Sequence, residues 1–368
     1  VTAPVDRRTL AASRLAAQRL TGQPARSPGE AVRHMLAMQG QDYAGALWST
    51  ALRTAGAPTA AEIEAALARG EIVRSWPIRG TLHLTAAEDL RWLLALTTPR
   101  LVAQAAARRR TLELDEATIE RAREAAIAAL TGGRALRREQ LQERFEAAGI
   151  ATNGQRLYHL LWMLSQTSTL VSGPPVDGAQ SFALLDERVP AAPERDRDDA
   201  LGELVRRYVL SHGPASRQDL AWWSGVTAAE VKIGIAVAGN AVLAIEIEGR
   251  ELYVPAEWEP VPPNREVLLL PGFDELLLGY RDRSASLDEG ELALVVPGGN
   301  GMFLPTFTVG GHVEGLWKRR ARRAAVDVDV TPFGAAPTAA VRRAAERSAG
   351  LYARHLGLAV GAVTVQEP

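Results

Sequence analysis

Residues 36–48 read Leu-Ala-Met-Gln-Gly-Gln-Asp-Tyr-Ala-Gly-Ala-Leu-Trp, with Gln39 and Gln41 two positions apart. On a helix, residues at i and i+2 face different ways. In an extended or turning chain, alternate side chains share a side. Gly40 between the glutamines and Gly45 after them favour such a break from helix. The stretch is therefore expected to form a loop that presents two amides together. An amide oxygen accepts a hydrogen bond, from a water for instance, or lays its dipole against a developing positive charge. The other reading is a polar helix end with two solvated glutamines. Neighbouring Asp42 either adds negative potential or caps the loop.

Other chemistries are scarce. The chain has no cysteine, which excludes disulfides, thiolate nucleophiles, iron–sulfur clusters and cysteine-based zinc sites. Its six histidines show no metal-ligand spacing, so no metal and no cofactor are expected. Lys232 and Lys318 are the chain's two lysines, and the other basic residues are arginines. That bias fits a GC-rich genome, and it leaves most cationic heads as planar forks suited to phosphate. A composition 47% apolar and 23% charged excludes a disordered or fibrous chain. A net charge of -1 excludes a uniformly basic coat but allows a locally basic face. The beginning of the chain, VTAPVDRRTLAASR, is polar and basic, and no run of about 18 apolar residues occurs. Neither a signal peptide nor a membrane span is expected, and a cytoplasmic location follows.

The elements that must hold these residues follow a repeated rhythm of three helices and then two strands. It is clearest over residues 198–255. A helix over 198–212 stops at Gly213-Pro214, Ser216 caps a second, and Thr227 with Glu230 forms a capping box for a third. AVLAIEIEGRELYVP then alternates as two strands turning at Glu248-Gly249. This is the pattern of a helix-turn-helix closed by a β-hairpin wing. A second copy has helices over 116–130, 137–148 and 153–166, with wing strands in TLVSGPP and QSFALLDE. The first copy is looser: a helix over 28–38, a helical stretch before Pro58, a helix over 60–69 capped by Thr59, and strands in EIVRSWPIRGTLHLT. After residue 256, EVLLLPGFDELLLGYRDRS, ELALVVP, MFLPTFTVGGHVEGLWKRR and VDVDVTPF read as strand-like, with a hairpin at Gly310-Gly311. An amphipathic helix over 336–355 and a final strand follow.

The expected fold class is α+β: three tandem winged helix-turn-helix units in a concave arrangement, with a C-terminal segment of strands and helix that finishes the third. The expected divisions are 1–97, 98–190, 191–256 and 257–368. The tryptophans, such as Trp92, Trp162, Trp222 and Trp223, fall in helical apolar stripes and read as core.

The order LxMQGQDYxGALW, SWPIRGTLHLT, LLLPGFDELLLGYRDRS and PTFTVGGHVEGLWKR, running nearly end to end, resembles the AlkZ-like and YcaQ-like winged-helix DNA glycosylases. Members resembling AlkZ carry a catalytic Gln–aliphatic–Gln motif, and the YcaQ-like branch carries Gln–aliphatic–Asp. Gln39 and Gln41 match the first form, with Gly40 standing where the family usually has an aliphatic residue. The resemblance implies excision of N7-alkylated guanine from double-stranded DNA. It also implies self-resistance in producers of alkylating antibiotics, through release of bulky adducts or interstrand crosslinks such as those of azinomycin. An N7-alkylated base is already cationic and departs without a general acid, unlike an ordinary glycoside. Gln39 and Gln41 would then place the attacking water and stabilise an oxocarbenium-like sugar. Besides the N-terminus only Lys232 and Lys318 offer an amine nucleophile, and neither has a carboxylate-rich motif beside it, so a monofunctional enzyme is expected.

Candidate DNA contacts are Arg79 beside the first wing, Arg281 and Arg283 flanking Asp282, His312 at the hairpin tip, and the run Lys318, Arg319, Arg320, Arg322 and Arg323. One of the arginines beside Asp282 could instead pair it. Arg108-Arg109-Arg110 reads equally as a solvated helix end. A winged-helix transcriptional regulator without catalysis, or a protein-interaction module, would share the fold. No dimerisation helix is evident, so a monomer is expected.

Overall fold

In the computed structural model, residues 5–366 are described; the first four residues of the N-terminal arm and the last two residues of the chain lie outside. The chain forms two compact units. One contains residues up to Glu64 and from Leu201 onward, and the other is Ala65–Ala200.

The first unit begins with helix α1 (Arg7–Ala17), capped by the Asp6 carboxylate, which accepts the Thr9 N–H at 2.8 Å. Helix α2 (Pro28–Met35) follows with Ser27 as its cap and proline at its first position. A short extended pair, β1 (Met38–Gln39), precedes α3 (Tyr43–Leu52). Helix α4 (Ala60–Ala68) starts at a capping box. The Glu62 carboxylate accepts the Thr59 N–H at 2.7 Å and the Thr59 hydroxyl accepts the Glu62 N–H at 3.3 Å.

The second unit contains the hairpin β2 (Ile72–Ile78) and β3 (Thr81–Ala86), then α5 (Ala87–Gln104) and α6 (Ala106–Thr111). Next come α7 (Glu116–Leu130), β4 (Leu136–Arg137), α8 (Arg138–Ala147) and α9 (Arg156–Gln166). Strands β5 (Leu170–Val176) and β6 (Ala179–Leu184) complete a sheet in the order β4-β6-β5, before α10 (Leu185–Arg188). Ile119, Leu130, Phe145, Leu160 and Leu164 from all three helices of this repeat fill one apolar core.

Back in the first unit, α11 (Arg197–His212), α12 (Arg217–Ser224) and α13 (Ala228–Ala238) lead into the hairpin β7 (Val242–Ile247) and β8 (Arg250–Pro255). Ser216 with Asp219 and Thr227 with Glu230 form complete capping boxes. Helix α13 exposes the apolar Ile233 and Val237 beside Lys232.

The C-terminal strands do not extend this hairpin, which stands as its own two-stranded sheet. Strands β9 (Val267–Leu270), β10 (Thr306–Val309), β11 (His312–Ala321), β12 (Ala325–Pro332) and β13 (Ala359–Val365) form a separate sheet in the order β13-β12-β11-β10-β9. Its pairings are antiparallel except β12 with β13. The intervening segments are helical, against the strand-like reading of DELLLG and ELALVVP. Phe273 has a φ of 63°, which turns the chain after β9, and the Asp274 carboxylate accepts the Leu276 N–H at 2.9 Å, which starts α14 (Glu275–Leu278). Residues 289–295 form a 3-10 turn and a short helix, α15 (Leu292–Val295). Apolar runs this short carry too little periodicity to separate helix from strand.

Helix α16 (Ala339–His355) and α3 share an aromatic contact with the sheet. The Tyr352 ring meets Trp48 edge-on at 5.1 Å and Trp317 edge-on at 5.0 Å. Both indole N–H groups donate at 2.7 Å to β9 carbonyls, Trp48 to Leu269 and Trp317 to Leu270. The helix that follows the paired glutamines is thereby fixed to the sheet.

Candidate active site

Helix α2 ends at Leu36, whose φ of 66° turns the chain out of the helix. Gln39 is therefore in extended backbone, not at a helix end, and the chain bends through Gln41 and Asp42 before α3. Gln39 is half-buried, Gly40 buried and Gln41 exposed. Among the described residues, Gly40 is not one of the glycines with positive φ. Its backbone is one that an aliphatic residue also adopts. Gly45 differs from expectation: it lies in the first turn of α3, not in the break. A Cβ there would meet the Asp42 Oδ2 at 2.6 Å. Asp42 occupies the N-cap position of α3, but its side chain makes no cap hydrogen bond.

A carboxylate far along the chain holds this loop. The Gln39 N–H donates to Glu275 Oε1 at 2.8 Å. The Trp223 Nε1–H donates to Glu275 Oε2 at 2.9 Å. His212 Nε2 lies 3.7 Å from the same oxygen, beyond hydrogen-bond reach. Burial lowers the pKa of this histidine, which favours its neutral form.

The adjacent Asp274 is equally buried. Its carboxylate accepts two parallel bonds from Arg53, Nη1 to Oδ2 and Nη2 to Oδ1, each at 2.9 Å. The Ser49 hydroxyl donates to Oδ2 at 2.6 Å. Arg53 Nη2 also donates to Gln18 Oε1 at 2.7 Å, and Gln18 Nε2 donates to the Glu275 carbonyl at 3.1 Å. Two carboxylates and one guanidinium thus sit out of water, with both carboxylates and both terminal nitrogens of Arg53 partnered and its Nε–H left without a partner. Neither Glu275 nor Arg53 stands out from sequence. The motif LLLPGFDELLLGY does contain both carboxylates, but it reads as an apolar strand.

The expected DNA contacts are placed in different settings. Arg79 belongs to the second unit, in the β2–β3 turn with a φ of 51°, and is half-buried. Arg281 is exposed, its backbone N–H held at 2.9 Å by Asp219. It lines a cavity of about 490 Å³ together with Arg217 and Arg250. Arg283 is engaged internally. Its Nε–H donates to the Leu277 carbonyl at 2.8 Å, and its guanidinium lies 4.9 Å from the half-buried Trp222 ring and 5.1 Å from Phe303. The partner of Asp282 is Arg250, not a flanking arginine.

The Gly310-Gly311 tip does not project. A Cβ on Gly310 would come within 2.4 Å of the Asn264 carbonyl, and one on Gly311 within 3.1 Å of the Ala11 carbonyl in α1. His312 there contacts Arg7 at 2.9 Å and Glu314 at 3.4 Å, and the Glu314 contact raises its pKa. The exposed hairpin is β11–β12, whose residues 318–324 are all exposed. In it Arg319 bonds the Tyr352 hydroxyl, Arg322 pairs with Asp327 at 2.5 Å and Arg320 with Asp329 at 3.3 Å. Lys318 and Arg323 are exposed beside them.

In the second unit, Arg109 pairs with Glu116 at 2.9 Å, and Arg108 donates to Gln155 at 2.5 Å. Among the described residues, no cluster of three or more histidine or acidic side chains is placed to hold a metal, and no helix is long and apolar enough to cross a membrane.

Helix α2, which delivers the chain to the glutamines, carries two shifted groups. The His34 Nε2–H donates to the Ala17 carbonyl at 2.6 Å, and burial lowers its pKa to about 4. Glu30 is lowered to about 2 by hydrogen bonds from Arg19 and Arg26.

An interstrand DNA cross-link repair glycosylase of Streptomyces sahachiroi is 24% identical over 355 residues, spanning 90% of this chain and 91% of that protein. The solved structure of the Streptomyces sahachiroi DNA glycosylase AlkZ shares the mixed α+β fold, with a TM-score of 0.82 at 22% identity and full coverage of both chains. Neither relative points to a transcriptional regulator. The model of the family described as "DNA glycosylase AlkZ-like" matches residues 32–354, and the chain belongs to that family of DNA glycosylases.

Proposed function

We propose that this protein is a monofunctional DNA glycosylase that hydrolyses the N-glycosidic bond of N7-alkylated guanine in double-stranded DNA. Its substrates include bulky adducts or interstrand crosslinks of an alkylating antibiotic, in line with the crosslink-repair role in its relative's name. The observation that carries the reading is the non-helical Gln39–Gln41 loop, held through the Gln39 N–H by a buried carboxylate. The protein works as a cytoplasmic monomer without metal or cofactor. Its three helical repeats act as winged helices, and deep base flipping is not required.

The chemistry asks little of an acid. As the C1′–N9 bond breaks, its electron pair neutralises the cationic base, which leaves unprotonated. The sugar develops oxocarbenium character, and water adds to C1′ and gives its proton to solvent. An amide does not take that proton; it accepts a hydrogen bond from the water or faces the positive sugar with its oxygen dipole. Gln39 and Gln41 divide these two jobs. Lys232 and Lys318 are both exposed and neither lies in this loop, so no Schiff base forms.

Phosphate contact falls to Arg79, Arg281 and the β11–β12 hairpin, where Lys318, Arg320 and Arg323 lead and Arg319 and Arg322 stiffen the strand. Helix α13, with apolar Ile233 and Val237 outward, is a poorer phosphate surface.

The test is incubation with a duplex carrying one N7-methylguanine, followed by alkali. Strand cleavage at the lesion is expected. Tight binding without cleavage overturns the glycosylase reading, and a borohydride-trapped protein–DNA adduct overturns its monofunctional form.

A further inference from the structure

We propose that Glu275 is a positioning residue for Gln39, and that it must be a carboxylate because two N–H donors converge on it. The inference rests on the catalytic role assigned to Gln39 above. Glu275 is 1% exposed. Its Oε1 accepts the backbone N–H of Gln39 at 2.8 Å, and its Oε2 accepts the indole N–H of Trp223 at 2.9 Å. Trp223 is itself fully buried on α12, stacked obliquely between Tyr208 and His212 at 5.1 Å from each ring. The donor that meets Oε2 is therefore fixed, and the carboxylate takes its orientation from it.

A side chain with two acceptor oxygens is needed to serve both donors. A glutamine has the same shape but one acceptor and one amino group. Whichever way that amide turned, its amino group would face an N–H: that of Trp223 in one orientation, that of Gln39 in the other. The backbone of Gln39 would lose its anchor or be pushed from it. Displacing a reacting group by about 1 Å can cost on the order of a hundredfold in rate.

The same geometry names the compensating change. Trp223→Phe removes the indole N–H and keeps a buried ring. In Glu275→Gln with Trp223→Phe, the amide oxygen sits on the Gln39 N–H. The amide nitrogen takes the place of Oε2, 3.7 Å from His212 Nε2, which is buried without a hydrogen-bond partner. There it faces no N–H donor once the indole is gone, and a small closure of that gap lets neutral His212, with its proton on Nδ1, accept from it.

The experiment measures single-turnover release of N7-methylguanine, duplex affinity and thermal melting for the full chain. The variants are Glu275→Gln, Gln39→Ala, their combination, and Glu275→Gln with Trp223→Phe. Glu275→Gln is expected to slow release by at least about tenfold while duplex affinity stays within about twofold. In the Gln39→Ala background it should change the rate by less than about twofold, because the two act as one unit. The double substitution with Trp223→Phe should regain most of the wild-type rate and its melting transition.

An equal slowing by Glu275→Gln in both backgrounds overturns the proposal. So does an unchanged rate for Glu275→Gln alone when Gln39→Ala is inactive. If Glu275→Gln alone fails to fold, the Trp223→Phe combination decides: folded and fast supports the proposal, folded and slow refutes it. Full activity of Gln39→Ala is a separate pattern, which removes the role of Gln39 and the positioning role with it.

Discussion

Arg53 and Asp274 meet as a parallel fork, guanidinium on carboxylate, with both bonds at 2.9 Å and both side chains out of water. Removing one partner leaves the other charged and buried. Asp274→Ala is therefore expected to cost about 3–5 kcal/mol of unfolding free energy. Urea titration checks it; a loss below about 1 kcal/mol would show the pair to be solvated.

Gln39→Ala and Gln41→Ala should each slow release of N7-methylguanine by roughly a hundredfold, the usual scale for removing one group that stabilises a transition state. Duplex affinity should hardly change, because the roles proposed for both amides are at the reacting sugar and not at phosphates. Single-turnover kinetics separate the two effects, and undiminished excision by both variants would sink the assignment.

Lys318→Ala with Arg323→Ala should weaken duplex binding and flatten its salt dependence. Each lost phosphate contact lowers the slope of log K against log salt by about 0.9, so the pair should lower it by about 2. Binding measured across a salt series tests this, and an unchanged slope would move the phosphate contacts elsewhere.

Gly310→Ala tests whether the β10–β11 tip is docked. Its φ is 61°, and a new Cβ would approach the Asn264 carbonyl to 2.4 Å. Strain of both kinds predicts a loss of about 1–3 kcal/mol in stability. A tip that projected freely would tolerate a methyl group far better.

Acid should weaken the fold between pH 6.5 and 4. The pKa of His34 falls from 6.5 to about 4 on folding, mainly through burial. A group depressed in this way contributes stability that is complete above pH 6.5 and lost as pH falls toward 4. His212 and His355, both lowered by burial, act in the same direction. His312, raised by its bond to Glu314, acts the opposite way, contributing at low pH and losing that contribution as pH rises. Unfolding free energy measured at several pH values should fall through that window, and His34→Gln, which can still donate to the Ala17 carbonyl, should flatten the curve.

Local signals carried much of the fold. The helix Glu116–Leu130 matches its periodicity end to end, and the boxes at Ser216 and Thr227 mark the starts of α12 and α13. The departure from helix at the glutamines was legible too, because spacing and glycine are local cues. What holds that loop was not. Glu275 is 236 positions from Gln39, and no periodicity encodes which carboxylate meets which N–H. Arg53 reads as an ordinary cation after an apolar stretch until Asp274 folds against it. Asp282 found Arg250 rather than the arginines beside it for the same reason. The short segments at 275–278 and 289–295 failed because three or four apolar residues satisfy a strand and a helix turn alike.

The first unit is assembled from the two ends of the chain, with Ala65–Ala200 between them. During synthesis the glutamine loop leaves the ribosome long before Glu275 exists, while the middle unit is contiguous and needs nothing later. At about 5–20 residues per second, the loop waits roughly ten to fifty seconds for its anchor. A chain broken off before residue 275 would carry both glutamines and a complete middle unit, yet lack the carboxylate that holds the Gln39 N–H. On the proposed reading, competence to act on DNA cannot precede the synthesis of Glu275.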